Sequence, residues 1–433
     1  MVKYIYDIRG EVNSEITNKF ASHLGTVIGN YLGPGESVVL GRDFNTPSQM
    51  IKRSISTGLM SAGINVMDFG IAPIPVIHYV MNLYQTKVMV TIAESDLRPQ
   101  DVSIKIFSTF VIPLEQRHGD KVAWNCIGEL RYAHEYREEY IKAVLKKAAT
   151  KLINSKSFLL VADCEMGMSA PFTPKLLNKL GCETVTIGFK DTKHDFNFSK
   201  PGPERLSLDS EVTTTVGADI GIILDNDLDG VTFIDECGNI VRDQTILGIF
   251  ARDALIKEHG GTVVSSVVAS MSLDEVVSQY EGKLIKTSVN QVLKEVIDND
   301  AVFGGDEPGM YVFPEFQTCY DAIFAMVRML EILAREDTTL SKLTQEIAEY
   351  PRTFFTLECE HEKKMNVINT IKNSFEFGED INTVDGLRVE MEDSFILVRP
   401  SRFEPLIRIY IESKSSKKLQ RLTASIKRII ENV

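Results

Sequence analysis

The residues from Gly221 to Gly230 read Gly-Ile-Ile-Leu-Asp-Asn-Asp-Leu-Asp-Gly, which places Asp225, Asp227 and Asp229 at alternate positions just after an apolar run. Carboxylates this dense at a strand end repel one another unless a cation sits among them, and on a tight loop three can converge on one hard divalent ion through oxygen ligands. Extended to Glu236, the stretch also fits the calcium-loop pattern D-x-D-x-D-G-x5-E. That loop lies between two helices and is usually found in pairs, whereas residues 222–224 and 231–234 here read as β-strands and no second loop is present. The expectation is a divalent-metal site on a strand–loop–strand unit. The competing reading is three acids that merely cap a turn.

Such a loop has to be held by a larger frame. Val38 to Asp43, a helix-like stretch, Gly63, and Ile64 to Gly70 form a strand, an acidic loop, an amphipathic helix closed by glycine, and another strand. The plan returns at Leu159 to Asp163, Gly181 and Glu183 to Gly188, and more faintly at Val263 to Val268, Ser270 and Gly282 to Lys286, where a shorter helix is expected. After about residue 350 the pattern changes to hairpin strands at 386–391 and 395–398, a strand at 407–412 and a basic helix from about 416 to 430. The predicted fold class is α/β: three repeated βαβ-type mixed-sheet domains, spanning 1–150, 151–250 and 251–350, and a smaller α+β domain spanning 351–433.

Composition narrows the functional classes. The 433 residues are 44% apolar and 25% charged, near globular averages. No run approaches the ~20 apolar residues of a membrane span, and the N-terminal residues lack a signal-peptide core, so a cytoplasmic protein without a membrane partner is expected. A net charge of −13 argues against a nucleic-acid partner, because phosphate backbones select basic stripes. The cysteines at 126, 164, 182, 237, 319 and 359 stand singly and read as reduced, mostly buried thiols. None of the seven histidines has a metal-ligand spacing, which disfavours zinc.

With the metal loop in place, four further segments fall in order along nearly the whole chain: Tyr6-Asp7-Ile8-Arg9-Gly10, Gly41-Arg42-Asp43, Gly304-Gly305-Asp306-Glu307-Pro308-Gly309, and Arg399-Pro400-Ser401-Arg402-Phe403-Glu404-Pro405. Together they resemble the α-D-phosphohexomutases, the phosphoglucomutases, phosphomannomutases and phosphoglucosamine mutases. The resemblance implies four domains around a central cleft, and a magnesium-dependent transfer of phosphate between the 1- and 6-positions of a hexose through a phosphoserine and a hexose bisphosphate. It implies a hexose phosphate as substrate partner and a monomer or homodimer. A serine to carry the phosphoryl, a metal ion to neutralise its charge and cations to position it are what that chemistry needs.

The resemblance also distributes roles. Asp225, Asp227 and Asp229, with Ser95, are similar to the metal set; Arg9, Arg42 and Lys105 to the cationic side of the site near Ser95; Gly305, Asp306 and Glu307, with Lys286, to the substrate loop; and Arg399, Ser401, Arg402 and Arg408 to the phosphate loop. The serine itself has two registers. Anchoring on Ile104-Lys105 puts Ser95 at the phosphoserine position, while anchoring on Met89-Val90-Thr91 puts Ala93 there. The chain departs from the family pattern in that Asp96 replaces a histidine, Gly230 an arginine, Pro308 a serine, Met310 a histidine and Arg402-Phe403 a Gly-Thr pair. Three readings follow: an active mutase, a degenerate paralogue that binds a sugar phosphate without turnover, and a phosphatase that loses its phosphoryl to water.

Overall fold

The computed structural model describes residues 2, 4–95, 98, 100–114, 120–133, 136–164, 168–188, 202–374 and 380–431. Asp96 lies outside the described residues.

The first sheet is built from β1 (Tyr4–Glu11), β2 (Ser37–Arg42), β3 (Asn65–Ile71), β4 (Val88–Glu94), β5 (Asp101–Ser108) and β6 (Leu130–Tyr132), in the order β1-β5-β4-β2-β3-β6. β5 runs antiparallel to both neighbours, while β4, β2, β3 and β6 pair in parallel. Helices α1 (Asn18–Leu32), α2 (Thr46–Ser61) and α3 (Ile74–Leu83) connect the strands. β4 is covered on both faces, which is why it reads as a continuous apolar run. α1 and α2 meet in backbone contact, since a methyl group at Gly58 would stand 1.9 Å from Ser22 O.

Helices α4 (Tyr136–Lys147) and α5 (Thr150–Asn154) lead into the second copy of the repeat, made of β7 (Leu159–Asp163), α6 (Thr173–Lys179), β8 (Glu183–Ile187), α7 (Pro203–Val216), β9 (Ile220–Leu224) and β10 (Val231–Ile234). Its sheet order is β10-β9-β7-β8, with β9 and β10 forming an antiparallel hairpin. The third copy comprises α8 (Asp243–Glu258), β11 (Gly261–Ser266), α9 (Met271–Gln279), β12 (Gly282–Thr287), α10 (Val292–Asp298) and β13 (Phe303–Asp306), with β12 and β13 parallel to β11. Gly63 and Gly181 take the left-handed turn after their helices at φ 83° and 80°, as the pattern predicts. The third copy differs twice. Its helix, at 9 residues, is shorter than the 16 of α2, as expected, but longer than the 7 of α6, and Glu281 carries the positive φ, leaving Gly282 to begin a strand.

β14 (Met310–Phe313), β15 (Gln317–Tyr320), α11 (Ala322–Glu336) and α12 (Leu340–Thr344) follow, and then β16 (Arg352–Glu358), α13 (Lys364–Asn373), β17 (Asp380–Asn382), β18 (Leu387–Met391), β19 (Ser394–Pro400), β20 (Leu406–Ser413) and α14 (Ser416–Glu431). The last five strands form one antiparallel sheet, β16-β20-β19-β18-β17. β16 and α13 were not predicted from the sequence.

The chain forms two compact units, one of residues 1–241 and 308–343, the other of 242–307 and 344–433. The core of the first sheet gathers Val38, Leu40, Ile51, Ile55, Val90 and Ile104. In the second unit, Val267, Val268 and Met271 pack on Phe395 and Leu397. Of the cysteines, Cys164, Cys182 and Cys319 are buried but Cys126 and Cys237 are exposed, fewer buried than expected. No described helix is long and apolar enough to cross a membrane.

Candidate active site

In the first unit, the acidic loop closes the β9–β10 hairpin, whose register pairs Leu224 with Val231. The predicted strands are therefore present, and Glu236 lies beyond β10, where it accepts a hydrogen bond from Ser341. Both facts exclude a calcium loop of the helix–loop–helix kind. Two helices hold the loop by its backbone: Ile74 N at the start of α3 donates to Asp227 O at 3.2 Å, and Ala322 N at the start of α11 donates to Leu228 O at 3.0 Å. First-turn N–H groups have no acceptor within their own helix, so they are free to serve the loop.

A buried polar network fixes those helix ends. Asp321 caps α11 through Phe324 N at 2.9 Å and accepts from the Tyr140 hydroxyl at 2.7 Å and from Gln317 Nε2 at 2.6 Å. Gln317 also donates to Pro75 O at 3.1 Å and meets His78 Nδ1 at 3.0 Å. Burial pushes His78 down to about 4, so the ring is neutral and donates its Nδ1 proton to Gln317 Oε1.

The charge distribution around the loop is set by Lys105. Its Nζ lies 3.1 Å from Asp227 Oδ2 and 3.3 Å from Asp229 Oδ2. Burial opposes the ammonium, but Asp229, Asp227 and Asp7 outweigh it and hold the group above its ordinary range. Burial and the neighbouring Asp229 charge raise Asp225 well above the carboxylate range. Burial lifts Asp227 to about 6. Burial would raise Asp229 too, yet Lys105 and a hydrogen bond with Asp225 hold it low. The Oδ1 atom of Asp225 is buried without a hydrogen-bond partner.

This donor set suits a hard divalent cation: three half-buried carboxylates on one loop and one buried, orphaned oxygen on Asp225. Among the described residues the carboxylates are not already gathered about a single point, and Lys105 stands between two of them. A methyl group at Gly230 would meet Asp225 Oδ2 at 2.7 Å, so a larger residue there would require that carboxylate to shift.

Sheet register shows which residues share the Lys105 face. Asp7, Lys105 and Thr91 lie opposite one another across β1, β5 and β4, and Arg9, Ser103 and Ala93 form the next row. Arg9 pairs with Asp7 at 2.8 Å, and the Ser103 hydroxyl donates to Asp7 at 2.8 Å. Burial would raise Asp7, but Arg9, Lys105 and Ser103 together hold it low. Ser95 is buried and donates its N–H to Asp101 O at 3.0 Å, a further row along. At strand rise, Ser95 is about 13 Å beyond the Lys105 row and Ala93 about half that. Arg42 does not join this group: it alternates with Gly41, the neighbour of Thr91, and lines a cavity on the α2 face of the sheet. Its neighbour Asp43 supplies the tether instead, accepting from Glu94 N at 2.7 Å and Asn45 N at 2.9 Å at the mouth of the Ser95 loop.

The second unit holds the other two loops. Asp306, at the end of β13, accepts from Ser266 Oγ and Glu307 N through Oδ1, while its buried Oδ2 has no partner. Burial lifts its carboxyl to about 7. Gly305 extends β13 beside Ser265, and Glu307 is drawn to Arg352 at 2.8 Å. Lys286, expected at a sugar phosphate, is engaged with Asp274 at 2.8 Å and Glu390 at 3.0 Å. Arg399 and Arg408 face each other across β19 and β20, each balanced by a carboxylate, Asp385 and Glu404 respectively. The turn between them is tied underneath by buried Lys364, which donates to Ser401 O at 2.7 Å and Glu404 O at 2.6 Å. Arg402 is exposed on that turn and lies over the Phe403 ring.

Four family models match in sequence: phosphoglucomutase/phosphomannomutase alpha/beta/alpha domain I over residues 2–127, domain II over 138–238, domain III over 242–350, and the C-terminal domain over 356–429. The chain belongs to the phosphoglucomutase/phosphomannomutase family. It is 32% identical to a probable phosphoglucosamine mutase of Pyrococcus horikoshii, covering 98% of this chain and 97% of that one. It is 30% identical to a phosphoglucomutase/phosphomannomutase of Thermococcus kodakarensis, covering 95% and 94%. Its fold is that of a family protein from Burkholderia thailandensis, with a TM-score of 0.85 at 22% identity over 99% of this chain and 96% of that one.

Within this phosphohexomutase frame, the residues that sequence reasoning missed are those that position others: Asp7, Asp43, Asp321 and Lys364. Asp7 and Asp43 stood inside quoted motifs beside their arginines, so they were visible without a role. Asp321 had a weak signal, an acid directly before an apolar helical run, which is a helix-start pattern. Lys364 had none.

Proposed function

We propose that this phosphohexomutase interconverts hexosamine or hexose 1-phosphate and 6-phosphate, with Asp225, Asp227 and Asp229 holding Mg2+ and Ser95 carrying the phosphoryl group. The observation that carries this reading is the half-buried acidic loop, with a buried, orphaned Asp225 oxygen and the ammonium of Lys105 beside Asp227. Glucosamine phosphate is the first candidate substrate, because several relatives at about 30% identity bear the name probable phosphoglucosamine mutase; glucose and mannose phosphates are next.

In one turnover the Ser95 O–P bond breaks as the sugar 6-hydroxyl of the 1-phosphate attacks, its proton passing to a base and a 1,6-bisphosphate forming. The serine then recovers the phosphoryl from position 1. When bound, the cation would neutralise charge on the transferring group. Lys105 adds a fixed positive charge on the same face as Arg9, and the unpaired Asp306 oxygen is suited to a sugar hydroxyl. Arg399 and Arg408 are suited to the phosphate that is not reacting.

Incubation with glucosamine 1-phosphate, Mg2+ and a trace of hexose 1,6-bisphosphate should yield the 6-phosphate and a phosphoryl adduct on Ser95 by mass spectrometry. A second reading, a sugar-phosphate-binding paralogue without turnover, is favoured by Gly230, which supplies no cation where the family pattern has an arginine, and by Ala93 in the Arg9 row. Neither product nor adduct with any of the three sugar phosphates would select it. Release of free phosphate alone would select a phosphatase.

A further inference from the structure

On the opposite face of the first sheet from Lys105 lies a cavity of about 340 Å³, between α2 and the β3–β6 edge. It contains three cations, Arg42, Lys52 and Arg53, against one lining carboxylate, Asp68. Lys52 is 5% exposed and its ammonium is paired with Asp68 Oδ1, which also takes Gly70 N at 2.7 Å. Arg42 donates one guanidinium nitrogen to Asp43 O at 2.5 Å. Among the described residues the Arg53 guanidinium has no ion pair. Lys52 is neutralised by Asp68, which leaves Arg42 and Arg53 as two guanidinium groups in mutual repulsion with no lining carboxylate of their own, an arrangement that an anion between them would relieve.

The remaining walls say what kind of anion. Met60 and Leu130 are apolar, and Tyr132 stands at the exposed edge with 67% of its surface free. The volume is at the low end of small-molecule sites, ~300–1,000 Å³. We infer that this cavity binds a small phosphate ester, its phosphoryl group seated on Arg42 and Arg53 and its organic part against Met60, Leu130 and Tyr132. The site is separate from the acidic loop, and the inference stands whichever sugar phosphate the protein acts on.

The test is calorimetric titration of the full chain with phenyl phosphate and, separately, with inorganic phosphate. Arg53→Glu is the main variant, since Arg53 is exposed and the change should leave the thermal melt unaltered; Arg408→Ala identifies any component due to the phosphate loop. The expected result is a phenyl phosphate component weakened about tenfold or more by Arg53→Glu and untouched by Arg408→Ala. Tyr132→Ala should weaken the same component, and inorganic phosphate should bind more weakly than the ester. An isotherm unchanged by Arg53→Glu, or equal affinity for inorganic phosphate, would overturn the inference.

Discussion

At the scale of single residues, what decides behaviour is whether a buried charge has a partner. Asp306 is the clearest instance: its Oδ2 is unpaired and its carboxyl is lifted to about 7, principally by burial. Between about pH 4 and pH 7 the folded chain keeps a proton there that the unfolded chain has released, so stability falls as pH rises through that window. Asp306→Asn removes this dependence. Urea denaturation at pH 5 and pH 7.5 should show the stability difference shrink by an amount on the order of 3 kcal/mol; an unchanged difference would mean that Asp306 ionises normally. The acids of the metal loop were legible in sequence because their spacing is local. The partner that sets their charge was not, since Lys105 and Asp227 are 122 positions apart.

Between residue and fold, elements act as clamps. The acidic loop owes its shape to the N-termini of α3 and α11, and α11 begins where it does because Asp321 caps it. Asp321→Ala should therefore cost at least about 2 kcal/mol, from the lost cap and from the stranded Tyr140 and Gln317 donors. It should also weaken Mn2+ binding measured by electron paramagnetic resonance, whereas Asp321→Asn, which keeps an acceptor at the cap, should recover most of both. Loss of stability with undiminished Mn2+ affinity would show that the helix ends do not shape the loop. The parallel strands of the repeats were legible because burial on both faces leaves unbroken apolar runs, as in β2. β16 escaped because no residue in Arg-Thr-Phe-Phe-Thr-Leu-Glu is fully buried, so its pattern is a weak alternation. The third repeat was faint for a related reason: its left-handed turn sits on Glu281, where a glycine would have marked the helix end.

On the scale of the whole chain, contiguity in sequence and compactness in space part company. The domain III model spans 242–350, yet residues 308–343 belong to the compact unit formed with 1–241. The physical reason is α11, whose residues from Ala322 to Ala334 are all buried. They pack within that unit, where Glu331 accepts from Ala149 N at 2.6 Å, and Gly309 O receives Val231 N at 3.0 Å. Gly309 is obligatory there, with φ 68° and a would-be methyl 2.4 Å from Val231 O. At ~1.5–3 kcal/mol for each large apolar side chain, removing this helix forfeits more than the ~5–15 kcal/mol by which a domain is stable. A fragment of residues 1–241 should accordingly show no cooperative melt by circular dichroism and should bind an apolar dye. The same fragment joined to residues 308–343 by a short Gly/Ser linker should melt cooperatively. Were residues 1–241 to fold alone, α11 would be a docked accessory, and the clamp on the acidic loop would have to be supplied by α3 without it.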